Sequence, residues 1–186
     1  MTREGGAGPP QWVVRPAASR DVVAIQAIEV DAGARFRTVG LDAVADDPPP
    51  TAERLLAHIK LGTAWVGAPP GADDESDVPV GYAMASVVDG EGHLDQVSVL
   101  GRAQGRGVGA ALVRHVLAWS AAEGHPAVTL TTYRDLPWNG PWYVHLGFRA
   151  VPGAALGPDL ASILIAERPA GLEPPTRIVV RRPADP

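Results

Sequence analysis

Three glycines at alternate positions, Gly105, Gly107 and Gly109, stand where a predicted strand passes into a predicted helix. Glycine removes the side chain where a backbone must approach a ligand closely, and the first turn of a helix offers unpaired N–H groups. The positive end of the helix dipole adds to the attraction for an anion. The spacing therefore predicts a phosphate or pyrophosphate site, with a tight glycine turn that binds nothing as the alternative.

Two known phosphate-binding motifs can be compared with this segment. A P-loop is excluded, because no Gly-Lys-Ser/Thr follows the glycines. The dinucleotide fingerprint G-x-G-x-x-G/A is formally satisfied by Gly105, Gly107 and Ala110. That fingerprint expects an acidic residue about 20 positions further on, at the end of the next strand, where this chain has Thr131-Thr132-Tyr133. A dinucleotide-binding oxidoreductase therefore remains as the least favoured reading.

A second segment, Trp138–Phe148, contains Tyr143 four residues before Gly147-Phe148. Together with Gln104–Gly109, it resembles the GNAT superfamily of N-acetyltransferases, which bind acetyl-CoA through a Gln/Arg-x-x-Gly-x-Gly/Ala segment. The resemblance is strongest from Gly92 to Ala150. It implies an α/β fold in which a mixed, twisted central sheet is flanked by helices on both faces.

The resemblance also implies which residues bind acetyl-CoA. A strand segment would present main-chain groups to the pantetheine arm and the acetyl carbonyl, Gln104 would orient the loop, and the glycine loop would hold the pyrophosphate. The first residue of the later helix, Asn139, would either contact the CoA arm or cap that helix. The implied cofactor-binding residues are Val97, Ser98, Val99, Gln104, Gly105, Arg106, Gly107, Val108, Gly109, Ala110 and Asn139.

Direct transfer to an amine needs a base and an acid. An alkyl amine with a pKa near 10 is mostly protonated at neutral pH and must lose a proton before it attacks a thioester. His93 occupies the position where histone-type members of the superfamily carry a glutamate base; the alternatives are an ordinary hydrogen-bonded strand histidine, or a base supplied by Asp95, Glu29, Asp31 or water. Tyr143 would protonate the departing CoA thiolate, or would simply pack as an aromatic side chain.

Hydrophobic periodicity and turn residues predict the elements that position these groups. Ser19 is expected to cap the first helix, and Thr51 is expected to cap a helix that ends at Gly62. Asp89 to Gly92 is expected to form a hairpin turn. We expect one domain over residues 11–182, with flexible ends at 1–10 and 183–186. Strands are predicted at 11–16, 63–67, 78–89, 92–100, 127–133, 148–151 and 177–181, and helices at 19–35, 52–61, 108–123, 139–146 and 159–167.

Composition removes several classes of function. The chain has 186 residues and no cysteine, which excludes disulfide scaffolds, thiolate zinc sites and cysteine nucleophiles. His58 and His115 have no companions at metal-ligand spacing, so no metal is expected. A net charge of −5 argues against a nucleic-acid partner, and no apolar run approaches the ~20 residues that cross a bilayer. These features predict a soluble, cytoplasmic protein, with a homodimer left open.

The resulting prediction is an enzyme that transfers the acetyl group of acetyl-CoA directly to a primary amine of a small molecule or peptide. The alternative from another class is a non-catalytic acyl-CoA sensor with the same fold. The sequence leaves open the acceptor, and whether the donor carries an acetyl group or a longer acyl chain.

Overall fold

The computed structural model describes residues 12–69, 78–167 and 177–184. The predicted end segment 1–10 and residues 185–186 lie outside these ranges. The strands are β1 (Val13–Pro16), β2 (Ala64–Ala68), β3 (Gly81–Val88), β4 (Glu91–Val99), β5 (Ala127–Tyr133), β6 (Arg149–Ala150) and β7 (Arg177–Pro183). The α-helices are α1 (Val22–Gly33), α2 (Asp42–Ala45), α3 (Ala52–Leu61), α4 (Val108–Ala122), α5 (Gly140–His145) and α6 (Pro158–Ala166). Short 3₁₀ turns span 19–21, 34–39, 101–103 and 153–155.

The strands form one mixed sheet in the order β1-β2-β3-β4-β5-β7-β6. Pairing is parallel between β4 and β5 and antiparallel in the pairs β1–β2, β2–β3, β5–β7 and β6–β7. This mixed α/β architecture confirms the fold class predicted from the sequence.

The chain divides into two compact units. Unit 1 comprises the described residues up to Met84 together with Gln96–Val113, and unit 2 comprises Ala85–Asp95 and the described residues from Arg114 onwards. β3, β4 and α4 each contribute residues to both units. The single domain expected from the sequence stays a prediction.

In unit 1, capping and stop residues recognised in the sequence set the two ends of α3. Thr51 caps α3 by accepting a hydrogen bond from the Arg54 N–H at 3.2 Å, and Gly62 ends that helix with a φ of +72°. Ser19 does not cap the first helix; instead, Asp21 accepts the Ala18 N–H at 2.8 Å and pairs with Arg15 at 2.7 Å.

The core of unit 1 lies between α1, α3 and one face of β2 and β3. It is a cluster of buried side chains: Ala17, Val22, Ile25, Ile28, Leu55, Ala64, Val66, Tyr82 and Met84. On the opposite face, Gly67 and Gly81 leave room for Val108 and Leu112 of α4, because an added Cβ would lie 2.7 Å from Val108 and 3.2 Å from Leu112. The start of α4 is therefore packed closely onto the sheet.

Unit 2 is built on a two-residue hairpin turn and a long ladder. Asp89 and Gly90 have φ values of +50° and +80°, the left-handed geometry that lets a short turn follow the twist of the strands. The turn is tighter than predicted, since β4 already begins at Glu91. β5 pairs with β7 from Ala127↔Pro183 to Tyr133↔Arg177, and the Asp89 carboxylate accepts two N–H groups at the start of α6.

Candidate active site

The glycine loop lies between the end of β4 and the start of α4 in unit 1. Gly105 and Gly107 have φ values of +72° and +89°, and the space around the position of a Cβ is open at both. Gly107 also begins the helical hydrogen bonding, as its carbonyl accepts the Ala111 N–H at 3.0 Å. The N–H groups of the first turn of α4 are therefore left without helical partners beside an open surface, as an anion site requires.

Side chains from α1 and from the turn after it hold this loop. Gln104 donates to the Val99 carbonyl at 3.0 Å and accepts from the Arg35 guanidinium at 3.0 Å. Asp31 accepts the Gly101 N–H at 2.6 Å. Sequence patterns do not indicate these contacts, because Arg35 and Asp31 lie 69 and 70 positions from their partners. The connection from Gln104 to Val99 fixes the side chain predicted to orient the loop.

The strand segment Val97–Val99 carries a second polar feature. Ser98 is buried, and its hydroxyl donates to the Glu29 carboxylate at 2.6 Å. The same carboxylate accepts from Tyr82 at 2.7 Å and from Gln96 at 2.6 Å. Burial, and after it the charge of Glu29, raise the pKa of Tyr82 far above its ordinary value, so this hydroxyl stays protonated and remains a donor.

Tyr143 lies on α5 in unit 2 and is buried at 7% exposure. Its ring packs edge-on against Trp142 and Phe148, with centroid distances of 4.8 Å and 5.6 Å. Burial raises the pKa of Tyr143 strongly, although the charge of Arg177 acts in the opposite direction. The phenol therefore keeps its proton at neutral pH, and none of the hydrogen bonds described within residues 12–69, 78–167 and 177–184 involves its hydroxyl.

Asn139 stands at the N-cap position of α5, but its side chain does not cap the helix. Its carbonyl accepts the Tyr143 N–H at 3.0 Å, while its side-chain oxygen is buried with no partner in the described part of the chain. Helix capping therefore does not account for this side chain. Gly140, the next residue, lies so close to the end of β5 that an added Cβ would be 2.3 Å from the Arg134 carbonyl oxygen.

His93 lies in unit 2 on the part of β4 that pairs with β5. It is buried at 3% exposure, and its Nδ1 lies 3.0 Å from the Thr129 hydroxyl. Burial lowers the pKa of His93, and this outweighs the charges of Asp95 and Glu167, which raise it. The imidazole is therefore neutral at pH 7. Because the Thr129 hydroxyl donates to the Gly92 carbonyl at 3.3 Å, Nδ1 is assigned as the donor to that hydroxyl, which makes Nε2 the basic nitrogen.

The other candidate bases have defined partners. Asp95 accepts a hydrogen bond from Ser86 at 2.8 Å through Oδ1, while its Oδ2 is buried and has no partner among the residues that the structure describes.

The implied cofactor-binding residues of the strand and loop fall in unit 1, whereas His93, Asn139 and Tyr143 fall in unit 2.

Two further findings concern metal binding and membrane-spanning helices, which the sequence analysis also considered. Within residues 12–69, 78–167 and 177–184, no group of three or more histidines and acidic residues is placed to hold a metal ion. None of the helices in these ranges is both long and apolar enough to cross a membrane.

Comparison with known proteins places the chain in context. The model of the acetyltransferase (GNAT) family matches residues 42–148, more than half of the chain. The structure is similar to N-acetylglutamate synthase from Neisseria gonorrhoeae, complexed with coenzyme A and N-acetyl-glutamate, with a TM-score of 0.69 and 17% identity. That match covers 97% of this chain and 37% of the synthase, so the chain spans little more than a third of that protein.

Two other similar structures have nearly the length of this chain. A GNAT-family acetyltransferase from Staphylococcus aureus has a TM-score of 0.68 at 12% identity, covering 94% of this chain and 100% of its own. The ribosomal-protein-S18-alanine N-acetyltransferase from Escherichia coli has a TM-score of 0.61 at 16% identity, covering 94% of both chains. At these identities the likeness concerns the fold, and it agrees with the sheet and flanking helices that the sequence resemblance implied.

Proposed function

Because this chain belongs to the acetyltransferase (GNAT) family, we propose that it transfers the acetyl group of acetyl-CoA directly to a primary amine of a small molecule or a peptide. Membership confirms the family and the enzyme class predicted from the sequence. The observation that carries the proposal is the glycine loop, in which Gly105 and Gly107 adopt left-handed geometry immediately before α4. This arrangement suits the pyrophosphate of CoA.

Acetyl-CoA is held in this proposal by the strand and the loop of unit 1. Main-chain groups of Val97, Ser98 and Val99 pair with the pantetheine arm and polarise the acetyl carbonyl, as an added strand would. The segment Gly105–Ala110 binds the pyrophosphate through its N–H groups, and Gln104, held by its hydrogen bond to the Val99 carbonyl, orients this loop. Asn139 is the further residue proposed to contact the CoA arm, through a side-chain oxygen that has no partner among the described residues.

The transfer itself needs no covalent intermediate on the protein. The deprotonated amine attacks the thioester carbon, the carbon–sulfur bond breaks, and the CoA thiolate takes a proton. Tyr143 is the proposed donor of that proton, since its phenol is protonated and no protein group among the described residues accepts from it. His93 remains a predicted base for which Nε2 is the available atom.

Two similar proteins support acceptors of both kinds. One was crystallised with N-acetyl-glutamate, a small acetylated amine, and another is named for the alanine of a ribosomal protein. A cytoplasmic location and a homodimer remain predictions from the sequence.

Ligand binding tests the cofactor first. In a thermal-shift measurement, acetyl-CoA at 100 times its dissociation constant should stabilise the protein by about 2.7 kcal/mol. Stabilisation by NADH and not by CoA or acetyl-CoA would contradict the proposal. Binding of acetyl-CoA without release of free thiol across a panel of amines would indicate the non-catalytic sensor instead.

Tyr143→Phe tests the proposed acid. Loss of the phenolic proton should slow thiol release by roughly 100-fold or more, with little change in acetyl-CoA affinity, because the ring and its packing are retained. Tyr133→Phe, another buried tyrosine of unit 2, is the matched control and should keep its turnover. Equal turnover in Tyr143→Phe and the unmodified protein would remove Tyr143 from the mechanism.

A further inference from the structure

The carboxylate of Glu29 has an environment that separates it from the other acidic side chains of unit 1. It lies on α1, is half-buried, and accepts hydrogen bonds from three neutral donors on β3 and β4. Tyr82 and Ser98 both donate to Oε2, whereas Gln96 donates to Oε1. We propose that Glu29 binds the acceptor as its ammonium form and thereby selects cationic primary amines.

The count of hydrogen bonds leaves one position for such a ligand. An ionised carboxylate has about four acceptor sites, two on each oxygen. Oε2 uses both of its sites on Tyr82 and Ser98, and Oε1 uses one on Gln96. No donor among the described residues takes the second site on Oε1, which we assign to an N–H group of an ammonium ion.

The charge of Glu29 points to the same ligand. In the part of the chain that the structure describes, its three partners are uncharged, and none of the ion pairs includes it. Arg54 of α3 is near enough for its charge to lower the pKa of Tyr82, but its side chain is exposed. A half-buried carboxylate that is held by neutral donors gains more from a cation than a solvated one does, because the surrounding dielectric is lower.

The position of Glu29 relates this ligand to the proposed reaction. Gln96 and Ser98 are two residues apart on β4, so their side chains share the face that meets α1. The adjacent main chain, Val97–Val99, is the segment to which the proposed function assigns the acetyl carbonyl. An ammonium group on Oε1 would thus be held beside that segment and would attack only after a base has removed its proton, a conclusion that rests on the proposed function.

The test compares Glu29→Gln with Glu53→Gln, which removes an exposed carboxylate from α3 in the same unit. Gln at position 29 keeps the length of the side chain and an oxygen for Tyr82 and Ser98, but loses the charge. Titration calorimetry at neutral pH, with CoA present, would measure the binding of n-butylamine, 1,4-diaminobutane and a dipeptide amide with a free N-terminus. Glu29→Asp, which keeps the charge, serves as the conservative variant.

We expect Glu29→Gln to weaken amine binding by about tenfold or more, as the loss of a charge-assisted hydrogen bond implies. KM for the amine should rise by a similar factor, while CoA affinity and the midpoint of thermal unfolding change little. Glu53→Gln should match the unmodified protein, and Glu29→Asp should retain more affinity than Glu29→Gln. A purely structural role would instead lower the unfolding midpoint and CoA affinity along with amine affinity.

Failure of this inference and failure of the proposed function give different results. Thiol release that proceeds with the same KM in Glu29→Gln would overturn the role of Glu29 and leave the acetyltransferase activity intact. Amine binding that depends on Glu29 without any thiol release would support the amine subsite and contradict the transfer reaction. If the unmodified protein binds none of the three amines, the inference is overturned.

Discussion

The two units use their polar residues in different ways. In unit 1, Glu29, Asp31 and Arg35 reach from α1 and the turn after it to the end of β4 and the glycine loop. In unit 2, the residues with predicted chemical roles are enclosed: Tyr143 packs among aromatic rings and His93 is buried against Thr129. The first arrangement fixes groups that would bind a ligand, whereas the second shifts pKa values by removing water.

This difference suggests a division between binding and proton transfer. Hydrogen bonds from several elements hold the loop in one geometry, so a ligand meets groups that are already oriented. Burial favours the neutral forms of a phenol and an imidazole, which keeps the proton on Tyr143 and off His93. Substitutions in unit 1 should therefore reduce ligand affinity more than turnover, and substitutions in unit 2 should reduce turnover more than ligand affinity.

Gly140→Ala should give the largest effect on stability. The new Cβ would lie 2.3 Å from the Arg134 carbonyl oxygen and 2.9 Å from that of Tyr133, and these backbone atoms cannot rotate away. We expect a loss of about 3 kcal/mol in the free energy of unfolding, measured with urea. The displaced start of α5 should also reduce turnover more than acetyl-CoA affinity.

Gly153→Ala is the matched control for this change, because the space around its Cβ position in unit 2 is open. It should alter stability by no more than about 0.5 kcal/mol. If Gly140→Ala were equally mild, the close approach of α5 to the end of β5 would not constrain the start of α5.

Gly107→Ala should have a smaller effect, confined to ligand binding and modest strain. Its φ of +89° costs an alanine about 1–2 kcal/mol although no atom blocks the methyl group. Relief of that strain would move the loop, so we expect acetyl-CoA affinity to fall roughly tenfold by calorimetry, a change of about 1.4 kcal/mol.

Gly40→Ala separates strain from binding. Gly40 is also in unit 1, has a φ of +74° and has open space around its Cβ position, but it follows the 3₁₀ turn at 34–39. It should lose similar stability and keep its acetyl-CoA affinity. Equal losses of affinity in both variants would mean that the glycine loop has no special part in binding.

The smallest expected effect is a dependence of stability on pH that comes from His93. Its folded pKa is lowered by burial, so the unfolded chain binds a proton more readily, and stability falls as pH drops below about 6.5. Urea unfolding at several pH values between 7 and 5 should show this slope, and His93→Gln should reduce it. Burial also lowers the pKa of His115, which contributes a slope of the same sign that remains in this variant. The same slope in His93→Gln would assign it to another group.

Asp21, a carboxylate of unit 1, affects stability in a different pH range. Burial alone would raise the pKa of Asp21, but hydrogen bonds from Arg15 and the Ala18 N–H, with the charges of Arg15 and Arg20, outweigh it and lower the pKa. Its stabilising contribution is therefore complete above the unfolded value near 4 and is lost only at lower pH. Its titration therefore leaves the His93 slope undisturbed.

Local signals made much of the fold predictable. The Thr51 cap, the stop at Gly62 and the limits of β5 depend on neighbouring residues, and the structure confirms all three. The hairpin turn lies where the sequence predicts it, but the prediction of Asp89 to Gly92 is longer than the observed turn, Asp89-Gly90. The length of the turn depends on the left-handed φ values of these two residues, which composition does not show.

The candidate site was less accessible to sequence reasoning. The motifs indicated the loop and Tyr143, since each motif is contiguous. Glu29 could be named as a possible base, but its partners lie 53 to 69 positions away and are brought together only by the packing of α1 on β3 and β4. The start of the first helix was also wrong in the sequence analysis: Asp21, not Ser19, accepts the Ala18 N–H there, a choice between two nearby side chains that the sequence pattern does not decide.

The place of β7 in the sheet has a consequence for how the protein is made. β7 pairs with β5 along seven positions and with β6 on its other side, although α5, β6 and α6 all come before it in the chain. During synthesis, the edge of β5 that pairs with β7 stays unpaired until β7 has left the ribosome. Unpaired strand edges are prone to associate with other chains. Slow translation or truncation before Arg177 should therefore favour aggregation of the nascent chain.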